Sequence, residues 1–411
     1  MAAATVTGQV SLLKRFWGNK VAQPMYDKSR LLDLAKKDTK FLGESKYIAV
    51  NIAPTSGGSS NFEDAVASQD PSSTKRFEIR RKREYQVCTI ANELIEAGSG
   101  QGAIVDALKF ELDKARQSFG EAMARRAWGD GGGSLGQLDS GVNLASTTLT
   151  LRSRTNIVGV FNIGTQLEFA TDNGTASNPA GRLPTATAPD RLKVVSVDRT
   201  NGAVTTNAAL NTIGGLTANG YVFRRGDYAN AITGLPGWLP IVAPTTGDNF
   251  FTVDRTADII RLSGYRVPSS GSTKEETLQN AGAEASINNA QPKHLFVNPL
   301  DYKDLCKELG SKVNIGSDGK ASVGFSNVRV FLATGEVEII SEPFVPKGYA
   351  WLGDAGDVTL ASAGDCPMML TKGQGTNNLL LLPGNDAFQG RLGTYAQISI
   401  DNPGNWGVIT W

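Results

Sequence analysis

The stretch from Lys75 to Ser134 constrains this chain most, because three unlike elements follow one another there almost without a linker. A charged extended segment comes first, Lys75-Arg-Phe-Glu-Ile-Arg-Arg-Lys-Arg-Glu-Tyr-Gln-Val-Cys-Thr-Ile90. After Gly98-Ser-Gly-Gln-Gly102, the spacing predicts one amphipathic helix from Ala103 to Trp128. Its apolar stripe runs through Ile104, Leu108, Leu112, Ala115, Phe119, Ala122 or Met123, and Ala127. The chain then breaks at Gly129-Asp-Gly-Gly-Gly-Ser134, a helix stop and turn. At 1.5 Å per residue such a helix is roughly 39 Å long, near the upper end for a globular protein. A striped helix of that length is a beam, and beams organise assemblies more often than they catalyse reactions.

The charged segment carries its own pattern. Strand alternation places Arg76, Glu78, Arg80, Lys82 and Glu84 on one face. Phe77, Ile79, Tyr85 and Val87 share the other with Arg81 and Arg83. A run that reads nucleic acid needs neither the interleaved glutamates nor an apolar face. The pattern therefore predicts a contact surface whose apolar face packs down while its charges meet acidic groups on a neighbour. Its candidate residues are Lys75, Arg76, Glu78, Arg80, Arg81, Lys82 and Arg83. Upstream, Tyr47–Ile52 reads as a partner strand, and the turn-rich pieces Thr55–Ser60 and Ser68–Thr74 bracket Phe62–Ala67. A two-stranded excursion of this kind has too little core to stand alone in water. It must lie on another part of the chain or on another subunit, and the expectation is order only against other subunits.

Composition narrows the function classes. With 411 residues the length suggests about two or three domains, ample to bury a core. Lys and Arg number 41 against 40 Asp and Glu, a net charge of +1, so the protein as a whole is no nucleic-acid magnet. Cys88, Cys306 and Cys366 are far apart and lack C-x-x-C spacing, which argues against a disulfide framework or zinc site and for a reducing cytoplasm. The opening Met1-Ala-Ala-Ala-Thr-Val-Thr-Gly lacks the positive n-region of a signal peptide. The longest aliphatic run, Leu379–Leu382, is too short to span a bilayer, so the expectation is a soluble intracellular chain.

Catalytic and cofactor signals are weak. The single histidine, His294, opens an apparent buried strand and no G-x-S-x-G elbow surrounds it, so it reads as a structural strand-edge residue. Gly98–Ala103 fits G-x-G-x-x-[GA] at a helix start, and Glu121 lies at a suitable distance. The preceding Asn92–Ala97 is polar and helix-like rather than a buried strand, and no second strand closes a βαβ unit. A hinge is the better reading. The Gly129–Ser134 loop lacks the Lys-[Ser/Thr] of a phosphate loop. The expectation is no catalytic, cofactor-binding or metal residues, no cofactor, and no enzyme.

The remaining chain divides by texture. Residues 1–45 read as an arm with a short amphipathic helix near Ser29–Lys37 carrying Leu31, Leu32 and Leu34. From about 145 to 240 come short Thr-, Val- and Gly-rich strands, with Asp198-Arg-Thr-Asn-Gly202 as a hairpin turn. This reads as a small inserted β-barrel or sandwich. After about Phe250 helices (Thr273–Asn288, Leu300–Leu309) precede mostly strands, among them Leu295–Val297, Glu336–Ile340, Gly348–Leu352, Leu392–Ile400 and Gly407–Trp411. Helices and strands segregate, so the class is α+β.

In that order of parts the chain resembles the major capsid proteins of tailed double-stranded DNA bacteriophages. The resemblance rests on the arm, the excursion, a long helix ending in Trp-Gly-Asp-Gly, and the β insert. It continues through Val297-Asn-Pro-Leu-Asp-Tyr-Lys-Asp-Leu305 and Asn385–Ile398 followed by Asn402-Pro-Gly-Asn. It implies the Hong Kong 97-type fold: N-terminal arm 1–45, extended loop 46–90 reaching over a neighbouring subunit, and peripheral domain 91–144 with a spine helix at 103–128. The β module would be 145–240, a peripheral connection 241–264, an axial domain 265–380, and return strands of the peripheral domain 381–411. The implied function is an icosahedral head shell of hexamers and pentamers enclosing double-stranded DNA contacted non-specifically. Portal and scaffolding proteins would be partners, with assembly in the host bacterial cytoplasm and no membrane contact. An encapsulin-like nanocompartment shell is the alternative within the fold; a β-rich tail or decoration protein binding carbohydrate would leave the beam helix unexplained.

Overall fold

The computed structural model describes residues 29–93, 104–152, 161–175, 181–183, 192–198, 201–309, 329–370 and 379–411, with side chains described from 111 onward in the long helix. Residues 1–28 and the glycine-rich 98–103 lie outside this set, and with them the start of the expected arm and the dinucleotide-like motif.

Three strands of the C-terminal half, His294–Val297, Tyr349–Gly353 and Gly407–Thr410, are near-continuous apolar runs because both of their faces are buried. They are the centre of a six-stranded mixed sheet in the order Tyr265–Pro268, Gly407–Thr410, Tyr349–Gly353, His294–Val297, Gly335–Ser341, Arg329–Leu332. Alternation splits each of the four central strands between two cores. Leu295, Val297, Ile339, Ala350, Leu352 and Ile409 meet Leu278, Ala281, Ala285, Leu305 and Leu309 of the helices Lys274–Ile287 and Pro299–Leu309. Phe296, Ile340, Trp351 and Val408 point the other way, into the main core with the end of the long helix. The closing strand Gly407–Thr410, expected among the return strands of the long helix's domain, instead lies inside this sheet, parallel to Tyr265–Pro268. Val408 and Ile409 are apolar on consecutive positions, so only a doubly covered strand buries both.

The long helix spans Ile104–Ala127, close to its sequence-predicted bounds. Phe119, Met123, Ala127 and Trp128 enter the main core, where the Trp128 ring sits 5.5 Å from both Phe296 and Trp351. Beside it the strands Lys82–Ala91 and Ala387–Ile400 pair antiparallel, from Ala91 opposite Ala387 to Lys82 opposite Ala396. A side chain on Gly390 would meet Cys88 Sγ at 2.8 Å and Leu112 at 3.3 Å, so a Cβ there would force the Cys88 side chain to shift.

The end of the arm is anchored. Ser29 caps the helix Arg30–Leu34, Leu31 and Leu32 are fully buried, and Lys36–Asp38 pairs parallel with Val358–Ser362.

The excursion is a hairpin of Ser45–Ala53 and Ser73–Arg80, paired from Ser45 opposite Arg80 to Ala53 opposite Ser73 with one register shift between Asn51 and Ala53. Its inward residues Ile48, Val50, Phe77 and Ile79 are buried in the chain's own main core, Phe77 standing edge-on to Trp238 at 5.1 Å. This corrects the expectation that the hairpin orders only against other subunits: Trp238, Phe250 and Phe251, distant in sequence, complete its base. Its tip is different, and carries the helix Phe62–Ala67 with Phe62 82 % and Val66 49 % exposed.

The β module consists of two three-stranded sheets, Ser134–Gln137, Tyr221–Arg224, Leu167–Ala170 and Thr148–Thr150, Ala203–Thr206, Val194–Asp198. They share a core of Leu135, Leu149, Phe169, Val204, Leu210, Val222 and their neighbours, which among the described residues draws on 135–222. Ser134–Gln137 belongs to this sheet, earlier in the chain than the boundary at 145 suggested by texture.

Candidate assembly surface

The charged segment is two strands, not one. It breaks at Arg81, between Ser73–Arg80 in the hairpin and Lys82–Ala91 in the larger sheet. The break overturns the single-strand alternation downstream of Arg80. Phe77 and Ile79 are buried as expected, but Tyr85 and Val87 are 45 % and 46 % exposed while Glu84 is 3 % exposed. The physical reason is a change of sheet: once the strand pairs with Ala387–Ile400, its inward side is chosen by that partner and not by its own hydrophobicity.

The candidate residues part company accordingly. Lys75, Arg76, Arg80 and Arg83 are exposed, Glu78, Arg81 and Lys82 half-buried. Arg76 lies over the Tyr47 ring, 4.6 Å from its centroid, and Arg80 pairs with Glu78 at 3.2 Å. Arg81 donates from Nη1 to Phe41 O at 3.2 Å, and its guanidinium lies 5.4 Å from the Phe41 ring centroid. Lys82 donates from Nζ to Ala229 O at 2.9 Å, and burial pushes its ammonium below the usual lysine value. Lys82 is therefore a strut to the β module's end rather than a free surface charge.

Two open clefts flank the segment. One, about 660 Å³, is lined by Glu44, Arg80, Arg81, Arg83, Tyr85 and Tyr395. The other, about 870 Å³, continues past Arg81, Arg83, Tyr85 and Val87 to Arg225 and Asn230. Tyr85 and Tyr395 stand edge-on at 6.2 Å between the charges. The surface is basic with aromatic patches.

Beneath it sits a charge cluster that sequence reasoning missed. Arg126 donates from Nε to Glu84 at 3.1 Å and from Nη2 to Asp227 at 2.5 Å. Arg224 pairs with the other Glu84 oxygen and, at 2.9 Å, with Asp227. Burial alone would push Glu84 up, but the Arg126 and Arg224 guanidiniums together hold it below its ordinary value. Burial, then the Arg126 and Arg224 charges, lowers the neighbouring Arg125 to about 10. The cluster ties together the strand, the end of the long helix and the β module. Its only local signals are a glutamate that follows the run Arg81-Lys82-Arg83 and two arginines just before Trp128.

His294 is the first residue of its strand. Its Nδ1 accepts the Ala355 N–H at 3.3 Å, and burial keeps its proton affinity below the ordinary value despite Asp354 nearby. The imidazole serves as a backbone acceptor. Among the described residues no group of three or more His, Cys, Asp or Glu side chains is placed to hold a metal ion, and no helix is long and apolar enough to cross a membrane.

No family model and no curated protein matches the sequence. Solved structures do match. A chain of the cyanophage A-1(L) capsid asymmetric unit aligns over 99 % of this chain and 99 % of its own length, with TM-score 0.53 and 12 % identity. A chain of the capsid of the native GTA particle covers 97 % and 93 %, at 8 % identity and TM-score 0.47. The first likeness shows that this chain shares, end to end, the fold of a chain of the cyanophage capsid.

Proposed function

We propose that the chain is the major capsid protein of a tailed double-stranded DNA bacteriophage, assembling into an icosahedral head shell. The observation that carries this reading is the end-to-end fold likeness to a chain of the cyanophage A-1(L) capsid asymmetric unit. In Hong Kong 97-type terms the hairpin is the extended loop and Ile104–Ala127 the spine helix of a peripheral domain. The sheet with helices Lys274–Ile287 and Pro299–Leu309 is the axial domain, and residues 134–224 form an inserted β module. The protein acts by architecture and not by catalysis. Its partners are further copies of itself in hexamers and pentamers, portal and scaffolding proteins, and packaged DNA touched without sequence preference.

Physical support comes from what the chain leaves uncovered. The hairpin base is built into the core, yet its tip holds exposed Phe62 and Val66, and the basic strand holds exposed Tyr85 and Val87. Apolar groups held out on a rigid ladder beside fixed charges suit contact with another copy. The test is a cryo-electron microscopy reconstruction of particles from the expressed protein. The reading predicts a closed shell of this fold; particles of another architecture, or shells filled with a specific protein cargo, would replace it with the tail-protein or nanocompartment reading.

A further inference from the structure

We propose that Glu342 is a proton-operated latch on the arm: its neutral carboxyl holds residues 29–38 against the body, and its ionised carboxyl releases them. This role belongs to the single chain and stands whether or not the chain forms shells. Glu342 follows the strand Gly335–Ser341 and is 1 % exposed. Its backbone is fixed, the N–H donating to Val297 O at 2.9 Å and the C=O accepting the Val345 N–H at 3.2 Å. The side chain reaches across to the arm, where Oε2 accepts the Arg30 N–H at 3.0 Å. The Leu31 N–H, Ser29 and the Trp128 indole lie around the same carboxyl. One buried acid thus meets the arm, the mixed sheet and the end of the long helix. The rest of the arm's hold is short. Its helix Arg30–Leu34 buries Leu31 and Leu32, and Lys36–Asp38 lies at the edge of its sheet, paired with Val358–Ser362.

Burial pushes the Glu342 carboxyl up to about 7, although the donors around it favour the charge. Once the arm lifts away, water reaches the carboxyl and its ordinary value of 4.5 returns. The docked arm therefore binds the proton more tightly, so docking is strongest below about pH 4.5 and weakens as pH rises through 7. The charges on the elements packed around Glu342 change little over that range. Arg30 and Asp33 pair with each other at 3.1 Å on the solvent side of the arm helix. Arg126 is held by Glu84 and Asp227, and Arg125 keeps its proton up to about pH 10. Asp354 pairs with Lys293 at 2.6 Å, and Asp357 accepts from Asn405 at 2.7 Å. Burial holds His294 below its ordinary value, so it has given up its proton before Glu342 does. Along its own chain the nearest charges are Glu338 and Lys347. A short helix and an edge strand open at lower cost than the doubly covered sheet beneath them. Release of the arm therefore relieves the buried charge before the body unfolds.

The experiment is amide hydrogen exchange read by mass spectrometry on the full-length chain, wild type against Glu342→Gln, at pH 5.5 and pH 8. Comparing the same peptide in the two proteins at one pH cancels the intrinsic pH dependence of exchange. At pH 5.5 the peptide covering 30–35 is expected to exchange alike in both. At pH 8 it is expected to exchange about tenfold or more faster in the wild type, while peptides covering 294–297 and 349–353 stay equal. A second measurement needs no variant. In the wild type, the ratio of arm to body exchange, corrected for intrinsic rates, should rise about tenfold or more between the two pH values. Arm peptides that exchange alike in both proteins at both pH values overturn the latch. So does a wild-type ratio that stays constant, or an acceleration at pH 8 that the body peptides share equally, since the whole molecule would then loosen and not the arm.

Discussion

At the residue scale, two buried carboxylates carry opposite consequences for pH. Glu84 is held below its ordinary value, so its contribution is full above about pH 4.5 and is lost as pH falls through the depressed value. Glu342 is pushed up to about 7 by burial, although it accepts the Arg30 N–H at 3.0 Å at the start of the helix Arg30–Leu34. The folded chain therefore holds that proton more tightly than the unfolded one, and stability falls as pH rises from about 4.5 through 7. The difference of about 2.5 units corresponds to roughly 3 kcal/mol. Glu342→Gln is expected to be near neutral at pH 5 and to raise the melting temperature at pH 8; an equal effect at both would show that the carboxyl does not titrate there. Arg126→Met takes from two buried carboxylates an arginine that pairs with both, and urea unfolding should show a loss of about 3 kcal/mol or more. Adding Glu84→Gln should recover part of it. None of these partnerships was legible beforehand, because Glu84, Arg126 and Asp227 are brought together from three separate elements and no local pattern records which charge will meet which.

At the scale of elements, the sequence revealed what one segment can encode by itself. The stripe from Leu112 to Ala127 gave the long helix, and Asp198–Gly202 marked a turn that does join paired strands, Asp198 lying opposite Ala203. The pairing partners were hidden. A strand's inward face depends on the sheet it joins, so Tyr85 and Val87 were read as packed and Glu84 as exposed when the reverse holds. The same ignorance placed the hairpin on a neighbour, although Trp238 and Phe250 of its own chain cover Phe77. The β module offers a test at this scale. Among the described residues its core draws on 135–222, so a fragment of about 134–228 should melt cooperatively with a β-type circular dichroism spectrum. An unfolded fragment would mean that the Lys82–Ala229 and Glu84–Arg224 links to the body hold it together.

At the scale of the whole molecule, order of parts was legible where contacts were not. Hairpin, long helix, β strands and mixed sheet follow one another along the described residues, and the same order in the sequence carries the resemblance to capsid proteins. What the order could not show is which surfaces remain open once the chain has folded. Replacing the tip 55–71 with a short turn should leave the melting temperature within a few degrees, since Ile48, Val50, Phe77 and Ile79 stay in the core, yet it should abolish large particles in electron micrographs. A shortened chain that still forms normal shells would place the decisive contacts elsewhere.

The most direct measurement is sedimentation velocity of the purified wild-type chain across a concentration series. The account predicts that a monomer boundary gives way, with rising concentration, to rings and then to fast, uniform closed particles. A single monomer-sized boundary at every concentration, with the hairpin-tip amides protected from exchange in that monomer, would contradict it.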